Sequence, residues 1–166
     1  MSRLATLSMS VCLLSLAAPA AAQVNSAACK VPVEAMTNVI TIDHATSVDM
    51  SGKSTKTITA GGVNYVQQNG AWEKSRNTAQ DSLKQVQQNF KNATVYTCRQ
   101  LADETVAGEA AGVYTVHEEN TVTKGDSKVW ISKKTGLPLK TEEDLAGVGH
   151  IAAVYSYTNI KAPVVK

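Results

Sequence analysis

The chain has 166 residues, of which 16 are lysine or arginine and 14 are aspartate or glutamate, so its formal net charge is +2 at pH 7. Charges of both signs are mixed along the chain without a basic stripe, which argues against a nucleic-acid-binding surface. Hydrophobic residues make up 43% of the chain, and its length suits one domain with a core of its own.

The N-terminal segment has the three parts of a cleavable secretory signal peptide. Arg3 supplies a positive n-region, residues 13–18 supply an apolar h-region, and the alanines at 20–22 form a small-residue cleavage site. The apolar run is shorter than the roughly 20 residues that a membrane-spanning helix needs. We therefore expect residues 1–22 to be removed on export to the bacterial periplasm. Residues 23–166 should then form a single domain without a membrane-spanning segment.

Two cysteines, Cys29 and Cys98, remain after the expected cleavage. An even pair in an exported chain most simply forms a disulfide, and two free thiols are the alternative. The bridge would connect the start of the mature domain to its middle. By the loop-entropy argument it would add about 4 kcal/mol to the free energy of unfolding.

The first half of the mature chain is predicted to contain two helices with strands between them. Pro32 suits the first turn of a short helix over 31–40. Asn69-Gly70 is a strong signal for a type I′ hairpin turn. Thr78, with Asp81 three residues later, predicts the start of a helix whose apolar stripe repeats at helical spacing up to Asn92. The strands predicted between these helices are 44–50, 54–60, 62–68 and 71–75.

The second half of the chain has the pattern of a β meander. Its predicted strands are 95–103, 112–119, 127–133, 137–143 and 150–158. Lys124-Gly125-Asp126 is predicted to be one of the turns. The last strand is apolar on both faces, which indicates a sheet covered by helix on one face and partly sheltered on the other. These elements predict an α+β fold in which one or two helices pack on one face of a sequential antiparallel sheet.

The residues show no pattern of a catalytic or metal site. His44, His117 and His150 lack metal-ligand spacing, and no serine lies in the strained turn of a nucleophile. Adjacent acids such as Glu118-Glu119 point to opposite faces of a strand and do not form a catalytic pair. We therefore expect no enzyme activity, no cofactor and no metal. The alternative is a site assembled by the fold from distant strands.

One segment resembles a known family. Residues 128–142 (Lys-Val-Trp-Ile-Ser-Lys-Lys-Thr-Gly-Leu-Pro-Leu-Lys-Thr-Glu) resemble a hairpin found in exported proteins of the LolA-like superfamily. Residues 153–160 are similar to an aromatic-rich strand near the end of those proteins. The superfamily includes periplasmic lipoprotein carriers, lipid-binding lipoproteins and an anti-sigma-factor regulator. The resemblance implies a curved, half-barrel-like antiparallel sheet with helices on its concave side and an apolar cavity between the two layers.

The resemblance and the two-faced apolar strand together predict a non-catalytic periplasmic binding protein. Its partner would be a hydrophobic, lipid-like ligand, such as an acyl chain or the lipid moiety of a lipoprotein. The candidate lining residues are Trp130, Leu137, Leu139, Ile151 and Tyr155. The alternative is a protein-interaction or envelope-stress module that binds an envelope protein and uses the same scaffold without a ligand cavity. The space between helices and sheet distinguishes the two functions: it is open in a ligand-binding protein and filled by side chains in the protein-interaction module.

Overall fold

The computed structural model describes residues 27–120 and 124–165. The expected signal peptide, residues 1–22, lies outside the described residues. Helix α1 continues into a short 3-10 turn, Val39–Thr41. The helices and strands of the described residues are α1 (Ala27–Asn38), β1 (His44–Met50), β2 (Lys53–Ala60), β3 (Val63–Gln68), β4 (Ala71–Lys74), α2 (Ala79–Asn92), β5 (Val95–Gln100), β6 (Glu104–Val106), β7 (Glu109–Glu119), β8 (Lys124–Ser132), β9 (Pro138–Leu145) and β10 (Gly149–Ser156).

All the strands belong to one curved, open antiparallel sheet. Their order is β4-β3-β2-β1-β10-β9-β8-β7-β5, and the short strand β6 pairs with β7 beside β5. Strand β10 pairs with β1, with Ala153 opposite Val48, so the last strand joins the two meanders into one sheet. The predicted α+β class with a sequential antiparallel sheet is confirmed.

Helix α2 begins at a capping box, as its sequence predicts. The Asp81 backbone N–H donates to the Thr78 hydroxyl at 3.2 Å, and the Thr78 backbone N–H donates to the Asp81 carboxylate at 3.0 Å. Two N–H groups that the first turn leaves without helical partners are thereby satisfied. The expected hairpin turn is also present, since Asn69 and Gly70 both have positive φ values of 50° and 80°.

Helix α2 is attached to the sheet at both of its ends. At its start the Ala79 N–H donates to the carbonyl of Gly62, in the β2–β3 turn, at 3.1 Å. At its end the Phe90 ring meets the Tyr96 ring of β5 edge-on, with the centroids 5.4 Å apart. The helix therefore crosses one face of the sheet from the β2–β3 turn to the β5–β7 edge. We call this the helix-covered face.

Helix α1 is joined to β5 by the predicted disulfide between Cys29 and Cys98. Cys29 is fully buried. Around the bridge lies a core between α1 and the strands β5, β7 and β8, which takes its side chains from alternate strand residues. The buried members of this core are Cys29, Ala35, Tyr96, Tyr114, Val116, Val129 and Ile131.

A second, smaller cluster lies on the opposite face of the sheet. Ala111, Val113 and Trp130 are its buried members, and Leu139 is one of the partly buried residues packed against them. This cluster packs around β7 and β8, whereas the two-sided apolar patterning that indicated shelter on the second face lies in β10, where Val154 is exposed. Both faces of the sheet near β7 and β8 are therefore covered.

The structure corrects three details of the predicted elements. Lys124-Gly125-Asp126 belongs to strand β8 and is not a turn. Glycine is favoured there by close approach, because a Cβ on Gly125 would lie 2.7 Å from the backbone oxygen of Asp144 and 2.5 Å from Leu145 Cδ2. Strand β6, only three residues long, was not predicted. Helix α1 already includes Ala27, so Pro32 lies inside the helix and not in its first turn.

Candidate functional site

A cavity of about 430 Å³ lies between the two helices and the helix-covered face of the sheet. Pro32 and Met36 of α1 and Val86 and Phe90 of α2 form its helical wall. Most of the side chains that line it are apolar. The apolar and aromatic residues on the sheet side are Val48, Tyr96, Val116, Val129, Ile151, Ala153 and Tyr155.

Strand alternation explains which residues of β10 reach the cavity. Ile151, Ala153 and Tyr155 are two residues apart and project from one face of the pleated strand. Val154, between them, projects to the other side, where it is 51% exposed, whereas Ala153 is 5% exposed. The apolar residues on the second face of this strand are therefore partly solvated and do not line the cavity.

Two of the five residues predicted to line a ligand site, Ile151 and Tyr155, lie in this cavity. Trp130, Leu137 and Leu139 are not among its lining residues. Trp130 and Leu139 belong to the cluster on the opposite face, and Leu137 lies between β8 and β9, where its carbonyl accepts from the Ser132 N–H at 2.9 Å. Alternate residues of a strand face opposite sides of the sheet, and Trp130 and Leu139 lie on the side away from the cavity.

The position of Trp130 is held by polar contacts as well as by packing. Its indole N–H donates to the Glu104 carboxylate at 2.7 Å. The ammonium groups of Lys128 and Lys140 lie 4.4 Å and 4.6 Å from the ring centroid. The residues of β8 and β9 that line the cavity are Ser127, Val129, Thr141 and Glu143.

Two carboxylates, Glu118 of β7 and Glu143 of β9, also line the cavity. Burial raises the pKa of the Glu118 carboxyl above its ordinary range. Burial also raises the pKa of Glu143, and the negative charge of Glu118 raises it further. These effects show that both carboxylates are partly dehydrated and that they interact with each other.

This pair was not predicted from the sequence. The expectation that adjacent acids such as Glu118 and Glu119 face opposite sides of a strand does not say which acids of distant strands share a face. Here one acid from each of two acidic clusters lines the same cavity. The available signal was the alternation in β7, because Glu118 follows Tyr114 and Val116 at two-residue spacing and so lies on the apolar side.

The remaining titratable groups that line the cavity are His44, Tyr96 and Tyr155. His44 Nδ1 is 2.8 Å from the carbonyl of Ile42 and must donate to it, because a carbonyl oxygen only accepts. Burial raises the pKa values of the Tyr96 and Tyr155 hydroxyls, with a further contribution from the charge of Glu143. Both tyrosines are therefore uncharged at neutral pH. No lysine or arginine of the described residues lines this cavity.

The described residues contain no group of three or more histidine, cysteine, aspartate or glutamate side chains arranged to hold a metal ion. Neither of the two described helices is long and apolar enough to cross a membrane. The features of this site are therefore its shape, its apolar walls and its two carboxylates.

Comparisons with solved structures find similar folds at low sequence identity. The Mycobacterium tuberculosis lipoprotein LppX superposes with a TM-score of 0.51 at 13% identity, over 84% of this chain and 100% of LppX. MucB in complex with MucA(peri) gives a TM-score of 0.49 at 15% identity, over 82% of this chain and 60% of MucB. LprF from Mycobacterium bovis gives 0.44 at 9% identity, over 80% of this chain and 92% of LprF.

No protein-family model and no curated protein sequence matches the chain. The likeness to LppX, at this level of identity, shows a shared fold. The half-barrel-like arrangement of a curved antiparallel sheet with helices on one face, expected from the sequence, is therefore the fold of this chain.

Proposed function

We propose that this protein binds a hydrophobic, lipid-like ligand in the cavity between its two helices and its curved sheet, without catalysing a reaction. The observation that carries the proposal is the cavity itself, which is walled by apolar side chains from both layers. Its volume of about 430 Å³ lies within the range of about 300–1,000 Å³ that small-molecule sites occupy.

The way α2 is attached supports this assignment. Its ends are attached to the sheet, at Gly62 and at Tyr96, while Val86, near its middle, faces the cavity. Ala79 is the one residue of this helix that is buried. An amphipathic helix whose apolar stripe lies over a space, rather than on a packed sheet, leaves apolar surface that a ligand would cover.

The compartment is part of the proposal. The disulfide between Cys29 and Cys98 is typical of proteins that fold outside the reducing cytoplasm. Together with the signal-peptide pattern of the first residues, it supports export to the periplasm. The rival function, a protein-interaction or envelope-stress module without a ligand cavity, does not account for the open space beneath α2.

An uncharged fluorescent probe tests the proposal. N-phenyl-1-naphthylamine brightens in apolar surroundings, so the wild-type protein should enhance its emission and bind it saturably. Ala153→Phe places a ring in the cavity and should abolish binding. Val154→Phe, one residue along β10 on the other face, is the matched control and should bind as the wild type does.

Thermal unfolding of both variants checks that each remains folded. The proposal fails if wild-type protein does not bind the probe. It also fails if folded Ala153→Phe protein binds the probe as well as the Val154→Phe protein does.

A further inference from the structure

The two carboxylates of the cavity wall come from the two strands that flank β8. Glu118 lies opposite Gly125 of β8, and Glu143 lies opposite Ser127 of the same strand, so the acids flank β8 on its helix-covered face. On this face the Leu145 side chain occupies the space beside Gly125, whereas Ser127, with its small hydroxyl, lines the cavity together with Glu118 and Glu143. A ligand group can therefore approach both carboxylates from the cavity side.

The basic residues of the neighbouring strands do not neutralise this pair. Lys124 binds Glu119 at 2.6 Å, Lys128 binds Glu104 at 2.9 Å, and Lys140 binds Glu142 at 2.5 Å. Lys128 and Lys140 also lie over the Trp130 ring, on the opposite face of the sheet. These three are the lysines of β8 and β9, and the two strands contain no arginine. Each is thus paired with an acid that does not line the cavity.

The other elements around the cavity add no positive charge near the pair. Helix α1 contributes Pro32 and Met36, and α2 contributes Val86, Asn89 and Phe90. On the sheet, Tyr96 of β5 and Tyr155 of β10 remain protonated and uncharged at neutral pH. His44, on β1, is the remaining titratable residue among those that line the cavity.

We propose that the ligand is an amphiphile with a cationic head group, of which a protonated alkylamine is the simplest, and that this head group binds between Glu118 and Glu143 while the chain occupies the apolar part of the cavity. This inference rests on the proposed ligand-binding function and names its ligand class. Partly dehydrated carboxylates beside apolar walls are stabilised by a cation and further destabilised by a third negative charge. A free fatty acid, whose head group is anionic at neutral pH, is therefore disfavoured in this cavity.

Displacement of the uncharged probe by three ligands of equal chain length tests the head-group preference. Dodecylamine, dodecanol and dodecanoate are cationic, neutral and anionic at about pH 8. Dodecylamine should displace the probe at a concentration at least about tenfold below that of dodecanoate, with dodecanol between them. In Glu118→Gln/Glu143→Gln protein the three concentrations should converge. Glu142→Gln, on the opposite face of β9, is the control and should keep the wild-type order.

A second measurement uses the wild-type protein alone. Lowering the pH protonates the two carboxyls while the amine stays charged, so the preference for dodecylamine over dodecanol should diminish. Wild-type protein that binds dodecanoate as well as dodecylamine overturns the inference, and so does a preference that survives in the double variant. Failure of the proposed function has a different signature, because the uncharged probe itself would not bind.

Discussion

Glu118 on β7 and Glu143 on β9 face one cavity from the two sides of β8, and the charge of Glu118 raises the pKa of Glu143 beyond the effect of burial. The residue next to Glu118 has the opposite environment. Glu119 binds Lys124 and His117, and hydrogen bonds to these two groups lower the pKa of its carboxyl. Two successive glutamates of one strand thus have pKa values shifted in opposite directions, because they lie on opposite faces of the sheet.

This difference predicts opposite effects of pH on two variants. A carboxyl whose pKa is raised by folding stabilises the fold below its unfolded pKa, and that contribution is lost as the pH rises through the folded value. Glu118→Gln/Glu143→Gln should therefore melt at a higher temperature than wild type at about pH 7, and the difference should vanish by about pH 4.

Glu119→Gln is the matched control for the double variant. A lowered pKa contributes stability above the unfolded value, and this is lost as the pH falls through the folded one. Glu119→Gln should therefore lower the melting temperature at about pH 7 and have less effect in acid. Melting curves recorded between about pH 4 and pH 7 measure both effects. A double variant that melts below wild type at about pH 7 would contradict the burial assigned to Glu118 and Glu143.

Removal of the disulfide should weaken the attachment of α1 to β5. The bridge joins residues 69 apart in sequence, so the chain-entropy argument predicts that Cys29→Ala/Cys98→Ala lowers the free energy of unfolding by about 4 kcal/mol. Urea unfolding measures the loss. A reductant should destabilise wild-type protein and leave the double variant unchanged. Unreduced wild-type protein that takes up an alkylating agent would show that the thiols are free.

A side chain at Gly125 should destabilise the fold. A Cβ there would lie 2.5 Å from Leu145 Cδ2 and 2.7 Å from the Asp144 carbonyl oxygen, and the backbone atom cannot move aside cheaply. Gly125→Ala should lower the free energy of unfolding by about 1–3 kcal/mol, the usual range for overpacking. Ser127→Ala, on the same strand and face, should be nearly neutral. Equal stability of the two variants in urea would show that the strands separate easily at this point.

The strands and helices were largely predictable because their signals are local. Thr78 with Asp81 marks the start of α2, and Asn69-Gly70 marks a hairpin through its backbone conformation. Gly125 misled the prediction, because a glycine in a polar run is typical of a turn. Its actual role, a close approach to Leu145, depends on a residue twenty positions away.

The cavity was less predictable than the elements around it. Ile151 and Tyr155, from the regularly alternating β10, line the cavity, whereas Trp130 and Leu139 lie on the opposite face of the sheet. A β-bulge at Trp130 and Ile131 shifts the register of β8 against β9, with Lys140 opposite Trp130 and Pro138 opposite Ile131. The intervening Leu139 joins Trp130 on the opposite face.

By itself the sequence determined an α+β chain with a capped helix, antiparallel strands and a cysteine pair suited to a bridge, because propensity, turn chemistry and periodicity act over a few residues. Only the tertiary structure decided which face of each strand meets the helices, where the space between the layers lies, and that Glu118 and Glu143 share it. The physical reason is strand register: a side chain's face depends on how its strand pairs with strands far away in sequence, and a shift of one residue reverses it.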